Sequence, residues 1–416
     1  MYEPLTKLSY QDKEIYQKTY EMRYYGPGAV HLGFELRDQL PTFFVLSPEL
    51  VSMGMEIYRI DKKIGQLRNC VPNVAVKQFC MKCLIDEIYL TNRIEGVHST
   101  RKELSQLLVK FQEDADRKPG RDRFEGLMAQ YLKLQENAVI PLDTCQDIRS
   151  LYDALVLPDV LKENPENMPD GQIFRKDSAS VVSKSQKVIH NGLYPETAIQ
   201  TAMEKALHFL KRTDVEPLFK ISAFHYLLEY IHPFYDGNGR LGRFIVSYLL
   251  SQELDPLIAY RLSYTIQENI NAYYDAFKEC NNPRNKGDVT PFLFMMLTMI
   301  KTSMEKLQNA LEERYYLLKM YEDHLMKLPG AEKQEMQELY FFLVQASLFA
   351  EQGISLQELA SCMKKSESTI RGYFKEIRGY FKENRGNSML KKHQTGRQVG
   401  YSLDLRVVNG YLNMED

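Results

Sequence analysis

The stretch IHPFYDGNGRLGR, Ile231–Arg243, constrains the fold of this chain more than any other part of its sequence. An apolar segment of helical periodicity, Pro217–Ile231, precedes it, and an amphipathic helical segment begins at Arg240. Gly237 and Gly239 permit backbone angles that other residues avoid, so a tight turn is expected between two helices. Such a turn presents free N–H groups at the positive end of a helix dipole, which favours an anion. The sequence therefore predicts an anion-binding loop.

Three side chains around this turn have the properties that phosphate transfer needs. Arg240 offers a guanidinium that can bind phosphate oxygens through two N–H groups. Asp236 is a carboxylate of the kind that holds Mg²⁺ bound to phosphates. His232, at the end of the preceding helix, is placed as a general base for a hydroxyl. Each residue alone has an ordinary structural alternative, and it is their joint spacing that indicates phosphate-transfer chemistry.

The same stretch resembles the signature of the Fic family, HPFxDGNGRxxR, at every specified position. The resemblance implies a mainly α fold, with a helical bundle and a β-hairpin flap. It also implies transfer of a nucleotide monophosphate, usually AMP from ATP, to a protein hydroxyl. His232 would deprotonate the target Ser, Thr or Tyr, and Asp236 would hold Mg²⁺. Asn238, together with the N–H groups around Gly237 and Gly239, would cradle the α- and β-phosphates.

Further nucleotide contacts are implied by the same resemblance. Arg240 would contact phosphate oxygens, and Arg243 would reach toward the γ-phosphate. In the segment YYDAFKECNNPRNKGDVTPF, contacts to adenine and ribose would lie at Tyr274, Phe277 and Asn281. Core packing is the alternative for the aromatic residues.

A predicted β-hairpin, at about residues 174–190, has short runs of β-branched residues on both sides of SKSQK. It resembles the flap of the Fic family. Such flaps pair with an extended stretch of the target protein by strand addition.

A second motif, TNRIEG at Thr91–Gly96, resembles the inhibitory motif of the same family. In that motif a Ser or Thr is followed four residues later by Glu and then by Gly or Asn. The resemblance implies that Glu95 pairs with Arg243 and denies this arginine to the γ-phosphate. ATP would then bind with its α-phosphate misaligned for attack. Thr91, one turn earlier, would help to lock the helix. An ordinary helix end is the alternative for this motif alone.

The composition is that of a globular protein rather than a polycation or an acidic tail, because the net charge is −2 over 416 residues. We see no signal-peptide pattern at the N-terminus and no run of about 18 apolar residues, so a cytoplasmic protein without a membrane partner is expected. The six cysteines are scattered. For the CxxC formed by Cys80 and Cys83, core packing is favoured over metal binding or redox chemistry.

The length predicts two or three domains. We expect an N-terminal helical region at 1–118 with the inhibitory helix at about 80–96, a catalytic core at 119–328, and a winged helix-turn-helix domain at 329–416. Between residues 364 and 406 there are 11 Lys and Arg against 4 Asp and Glu. This tail could bind DNA through residues 331–416, dock a protein, or present a solvated charged face.

The sequence thus favours a self-inhibited protein adenylyltransferase that uses ATP and Mg²⁺ and acts on a hydroxyl of a target protein or of itself. One alternative is the same fold with another nucleotide donor. Another is removal of AMP from a modified protein, with Glu95 positioning a water molecule. A third is a DNA-associated regulator that acts through the tail. Assembly into an oligomer is left open.

Overall fold

The computed structural model describes residues 2–114, 120, 122–182, 188–382, 388–395 and 398–412. The fold is mainly α, as predicted. The helices are α1 Leu5–Leu8, α2 Lys13–Tyr24, α3 Pro48–Cys70, α4 Asn73–Ile94, α5 Arg101–Glu113, α6 Glu125–Gln135, α7 Cys145–Leu155, α8 Leu157–Glu163, α9 Glu196–Leu210, α10 Pro217–Ile231, α11 Asn238–Glu253, α12 Leu262–Glu268, α13 Ile270–Cys280, α14 Thr290–Glu322, α15 Gln334–Phe349, α16 Leu356–Met363, α17 Glu367–Lys382 and α18 Leu405–Leu412.

Short antiparallel strands complete the described part of the chain. The strands are β1 Ala29–Leu36, β2 Leu40–Val45, β3 Ser180–Val182, β4 Val188–Asn191, β5 Ile354–Ser355, β6 Leu390–Thr395 and β7 Gln398–Leu403. They form the pairs β1–β2 and β3–β4 and a three-stranded sheet in the order β5–β7–β6.

The chain divides into two compact units, each built from separate parts of the sequence. The first unit contains residues 1–62, 87–99 and 116–305, and the second contains residues 63–86, 100–115 and 306–416. Helix α4 is continuous and contributes its first residues to the second unit and its last residues to the first. The three predicted domains, 1–118, 119–328 and 329–416, remain a prediction.

The first unit is organised around α10 and α11, which are buried along most of their length. Helix α10 is apolar on nearly all sides, the pattern of a helix in the interior of a domain. Helix α11 begins at Asn238, two residues before the predicted start at Arg240. The loop between these two helices is therefore fixed at both ends by buried helices.

Two features of the first unit differ from the helical pattern expected from sequence. The N-terminal region contains the hairpin β1–β2, whose first strand alternates buried and exposed residues from Val30 to Leu36. The helical periodicity of the segment Tyr264–Cys280 predicts one helix, but two helices meet there at Asn269. The Asn269 side chain donates Nδ2–H to the Thr265 carbonyl oxygen, at 3.0 Å, and its backbone leaves the helical region.

The predicted hairpin at about residues 174–190 is present as the antiparallel pair β3–β4. Both strands are shorter than the prediction, and Phe174 is a buried residue that precedes them. The predicted turn SKSQK, residues 183–187, lies outside the described residues.

The second unit includes the C-terminal tail, whose elements follow the order helix, strand, helix, helix, strand, strand from α15 to β7. Strand β7 pairs with both β5 and β6 in this sheet. The assignment of the tail as a winged-helix domain remains a prediction. Among the helices of the described ranges, none is both long and apolar enough to cross a membrane.

Candidate active site

The loop between α10 and α11 depends on two residues with left-handed backbone conformations. His232 ends α10 with φ 51°, and its N–H donates to the Leu228 carbonyl oxygen. Gly237 precedes α11 with φ 81°, and a Cβ atom at this position would lie 3.0 Å from Cγ2 of Val156. Glycine is thus required at 237 both by backbone conformation and by space.

Asn238 holds this loop closed from within. Its Oδ1 accepts from the Phe234 N–H at 3.0 Å, and its Nδ2–H donates to the Phe234 carbonyl oxygen at 2.8 Å. The residue is buried, so both ends of the amide are used by the protein. Its described contacts are those of a residue that shapes the loop, whereas the sequence predicts a phosphate contact.

Arg175, which the sequence analysis missed, connects the loop to the base of the β3–β4 hairpin. Its guanidinium is buried and donates to the His232 carbonyl oxygen from Nε at 3.0 Å and from Nη2 at 2.8 Å. It also donates to the carbonyl oxygens of Leu193, at 2.8 Å, and Asp177. These bonds hold His232 in its left-handed conformation, so Arg175 is a positioning residue for the histidine.

The environment of His232 keeps its imidazole neutral. Burial lowers the pKa of His232 to about 3, and the positive charges of Arg175 and His190 lower it further, while the Glu229 backbone carbonyl opposes them. Nδ1 is buried, which leaves Nε2 as the nitrogen that can meet a reacting group. A neutral imidazole is the form that accepts a proton.

The structure brings Glu95 and Thr91 to Arg243, as the sequence predicts. The Arg243 Nη2 lies 2.8 Å from Glu95 Oε1, and Nε–H donates to Thr91 Oγ1 at 2.9 Å. Nη2–H also donates to the Thr91 carbonyl oxygen, at 3.1 Å. Arg243 is buried. Glu95 follows the last residue of α4, and Gly96 after it ends the helix with φ 78°.

Gly239 explains how Glu95 reaches the start of α11. A Cβ atom at position 239 would clash with Glu95 Oε1 and would lie 3.0 Å from Nη1 of Arg243. The carboxylate thus rests against the first turn of α11, where a negative charge is favoured by the helix dipole.

Arg240 is a second buried cation in the first turn of α11. Its side chain is fully buried, and none of its three guanidinium nitrogens has a hydrogen-bond partner among the described residues. A buried charge is costly unless it is paired, so this guanidinium requires an anion. Burial raises the pKa of Asp159, whereas the Phe124 N–H and then the charge of Arg240 lower it.

Two buried carboxyl groups around Arg243 were not predicted from the sequence. Burial and the charge of Glu95 raise the pKa of Glu229 to about 8, and Arg243 opposes them. Burial raises the pKa of Glu87 to about 7, although Ser263 donates to it from the backbone N–H at 3.0 Å and from Oγ at 2.5 Å. Near neutral pH, Glu229 is mostly protonated and Glu87 is partly protonated, so Glu95 is the main carboxylate charge beside Arg243.

The remaining predicted site residues, Tyr274, Asn281 and Asp236, differ in burial and in hydrogen-bond partners. Tyr274 is half-buried, and burial followed by the charge of Glu95 raises its pKa to about 12, which places it beside the Glu95–Arg243 pair. Asn281 accepts at Oδ1 from the Tyr226 hydroxyl at 2.7 Å. Asp236 is partly exposed, and its backbone carbonyl accepts from the Tyr152 hydroxyl at 3.1 Å.

The described residues contain no group of three or more His, Cys, Asp and Glu side chains that could hold a metal ion by themselves. Asp236 is therefore a single candidate ligand. Mg²⁺ is commonly held by one or two carboxylates, with phosphates and water completing its coordination, so this donor set fits the predicted ion.

Comparison with known proteins identifies similar sequences. Residues 142–250 match the family described as the Fic/DOC family. A stretch of 79 residues is 32% identical to the protein adenylyltransferase Fic of Nematostella vectensis. This match covers 19% of the present chain and 16% of the length of that relative.

Two solved structures align with parts of the chain. A Fic family protein from Desulfovibrio desulfuricans aligns with a TM-score of 0.49 and 20% identity, over 86% of this chain and 97% of that protein. A Fic-domain signalling protein from Bacteroides thetaiotaomicron aligns with a TM-score of 0.43 and 17% identity, over 62% of this chain and 97% of that protein.

The raised pKa of Glu87 leads to a prediction about stability. Because the carboxyl titrates near 7 when folded and near 4.5 when unfolded, its contribution to stability is lost as pH rises between these values. Glu87→Gln cannot ionise. We expect the free energy of unfolding of the variant to rise by about 2–3 kcal/mol relative to that of the wild type as the pH increases from 5 to 8. The measurement is urea unfolding at a series of pH values. Glu313→Gln, at an exposed position of α14, is the control, and a difference independent of pH would contradict the assignment.

Proposed function

We propose that this chain is a protein adenylyltransferase restrained by its own Glu95, because residues 142–250 match the Fic/DOC family. It moves AMP from ATP to a Ser, Thr or Tyr hydroxyl of a target protein or of itself. The observation that carries the proposal is the anion site at the start of α11, where Arg240 has no partner among the described residues and Arg243 holds the Glu95 carboxylate. The Nematostella relative is a protein adenylyltransferase by name, which supports AMP as the transferred group.

The chemistry follows from the position of His232. The target hydroxyl oxygen forms a bond to the α-phosphorus of ATP, and the bond from that phosphorus to the bridging oxygen of pyrophosphate breaks. His232 takes the hydroxyl proton at Nε2, since Nδ1 is buried. Arg175 keeps the imidazole in place through the His232 carbonyl oxygen. The products are the AMP-modified protein and pyrophosphate.

The polyphosphate of ATP fits the positive groups of the loop. Arg240 would gain the anion that its buried guanidinium lacks in the described structure, and the N–H groups at the start of α11 would face phosphate oxygens. Arg243 would contact the γ-phosphate once Glu95 leaves it. A Mg²⁺ ion would neutralise charge on the phosphates when bound, with Asp236 as its protein ligand.

The restraint on the enzyme follows from competition for one guanidinium. Arg243 is buried, and Glu95 and Thr91 already occupy its Nη2 and Nε groups. A γ-phosphate can take this position only if the carboxylate moves. With Arg243 occupied, ATP would lack the contact that aligns its α-phosphate, so transfer would be slow.

Two further activities are compatible with these residues: another nucleotide donor, or removal of AMP with Glu95 positioning a water molecule.

We predict that Glu95→Gly releases the enzyme. Purified wild type should show little self-labelling with Mg²⁺ and ATP labelled at the α-phosphate, and Glu95→Gly should show at least about tenfold more, because Arg243 becomes available. Adding His232→Ala to Glu95→Gly should remove the label. The measurement is the radioactivity retained on the protein after gel electrophoresis.

Two controls sharpen this experiment. ATP labelled at the γ-phosphate should leave no label on any variant, since pyrophosphate leaves with it; label from this nucleotide would indicate phosphoryl transfer instead. Glu95→Gln keeps the shape of the side chain without its charge and should fall between the wild type and Glu95→Gly. Equal labelling of wild type and Glu95→Gly would refute the inhibitory role of Glu95.

A second prediction concerns Arg175. In the Glu95→Gly background, Arg175→Lys should lower kcat by about tenfold to a hundredfold and leave KM for ATP nearly unchanged, because the imidazole is displaced while the phosphate contacts remain. Arg59→Lys, at an exposed position of α3, is the matched control. A rise in KM for ATP with unchanged kcat would show that Arg175 does not act through His232.

DNA binding by the tail is a second candidate function, favoured by one observation on α17. Ile370 and Phe374 are buried, whereas Arg371, Lys375 and Arg378 are exposed on the other side of the same helix. A basic helix face of this kind can follow the phosphates of duplex DNA.

The full-length chain provides the test of this candidate. A fluorescent DNA duplex should bind with an affinity that falls steeply with salt concentration. The double variant Lys375→Glu with Arg378→Glu should weaken binding about tenfold or more. It should also reduce the slope of log affinity against log salt concentration by about two phosphate contacts. The matched variant Lys13→Glu with Lys18→Glu changes exposed lysines on α2. Absence of binding at low salt would rule out this function.

A further inference from the structure

A cavity of about 270 Å³ lies within the second unit. Its walls come from the first half of α4, from α5, and from the tail around β5, α16 and β7. Apolar side chains such as Val74, Met81, Leu108 and Val399 form much of the surface. The volume lies just below the range typical of small-molecule pockets, ~300–1,000 Å³, so a ligand here would be small.

Gln78 gives this cavity a specific hydrogen-bonding requirement. The residue lines the cavity, and both its Nε2 and its Oε1 are buried without a hydrogen-bond partner among the described residues. A buried amide is ordinarily paired, so a ligand or a water molecule should satisfy it. The group that complements an amide presents an acceptor and a donor side by side, as a nucleobase edge does.

The charges around the cavity exclude a strongly ionic ligand. Lys77 and Lys82 line it together with Glu351 and Glu358, so the lining carries no net charge. The Glu358 carboxylate is already used, since it accepts from the Ser355 N–H at 3.0 Å and from its Oγ at 2.8 Å. A phosphate group would leave water to meet two carboxylates as well as the two lysines, so it would gain little net attraction. A nucleotide is therefore disfavoured relative to an uncharged base or nucleoside.

We propose that this cavity binds an uncharged nucleobase or nucleoside through Gln78. The amide of Gln78 would donate one hydrogen bond to the edge of the base and accept one from it.

Binding is tested on the full chain without any activity measurement. The protein is labelled with ¹³C at its methionine methyl groups, and the signal of Met81, assigned with Met81→Leu, reports on the cavity wall. Adenosine, guanosine, cytidine and uridine are titrated to millimolar concentration. At least one should shift the Met81 signal saturably, and absence of a shift with all four would overturn the proposal, because water alone would then satisfy Gln78.

Two variants locate the binding. Gln78→Leu removes the amide and keeps the approximate size, and it should weaken binding about tenfold or more. Ser105→Leu places a larger side chain at a buried position of the cavity wall and should abolish binding. Gln66→Leu, at an exposed position of α3, should bind like the wild type. Unchanged binding in both cavity variants would overturn the assignment of the site.

Discussion

The buried guanidinium of Arg243 is the constraint on which the rest of the site depends. A cation removed from water must be matched by negative charge, and Glu95 is the carboxylate in contact with it, at 2.8 Å. Glu229 and Glu87 surround the same arginine, but burial raises the pKa of each, so neither supplies a full charge near neutral pH. The end of α4 is thereby fixed against the start of α11. The pairing of Arg243 with Glu95 therefore connects the start of α11 with the predicted inhibitory segment.

The sequence predicts those parts of the structure that local pattern determines. The helices around the loop and the turn at Gly237 follow from hydrophobic periodicity and from glycine at a left-handed position. The hairpin β1–β2 also has a sequence signal for a strand, because apolar and other residues alternate from Val30 to Leu36. A search for helical spacing alone does not detect this alternation. The interruption at Asn269 had only a weak signal, because a polar side chain within a helical pattern seldom ends the helix.

Other parts of the site could not be read from the sequence because their partners are distant along the chain. Arg175 is 57 residues from His232, whose carbonyl oxygen it binds, and no local pattern distinguishes it from a surface arginine. Glu87 is 176 residues from Ser263. Asn238 stands in a recognisable motif, yet its amide is used on the Phe234 backbone, which spacing alone does not reveal. Motifs indicate which residues gather at a site, and tertiary contacts decide what each one does there.

Glu95 and Arg243 belong to one polypeptide, so the strength of their contact is set by chain geometry and does not depend on how much protein is present. Dilution weakens a complex between two molecules, but it leaves an internal contact unchanged. The same holds for synthesis and degradation, which alter the number of molecules and not the fraction in which the carboxylate occupies the arginine. Only an event that moves the end of α4, or that lowers the free energy of a conformation without this contact, can alter that fraction.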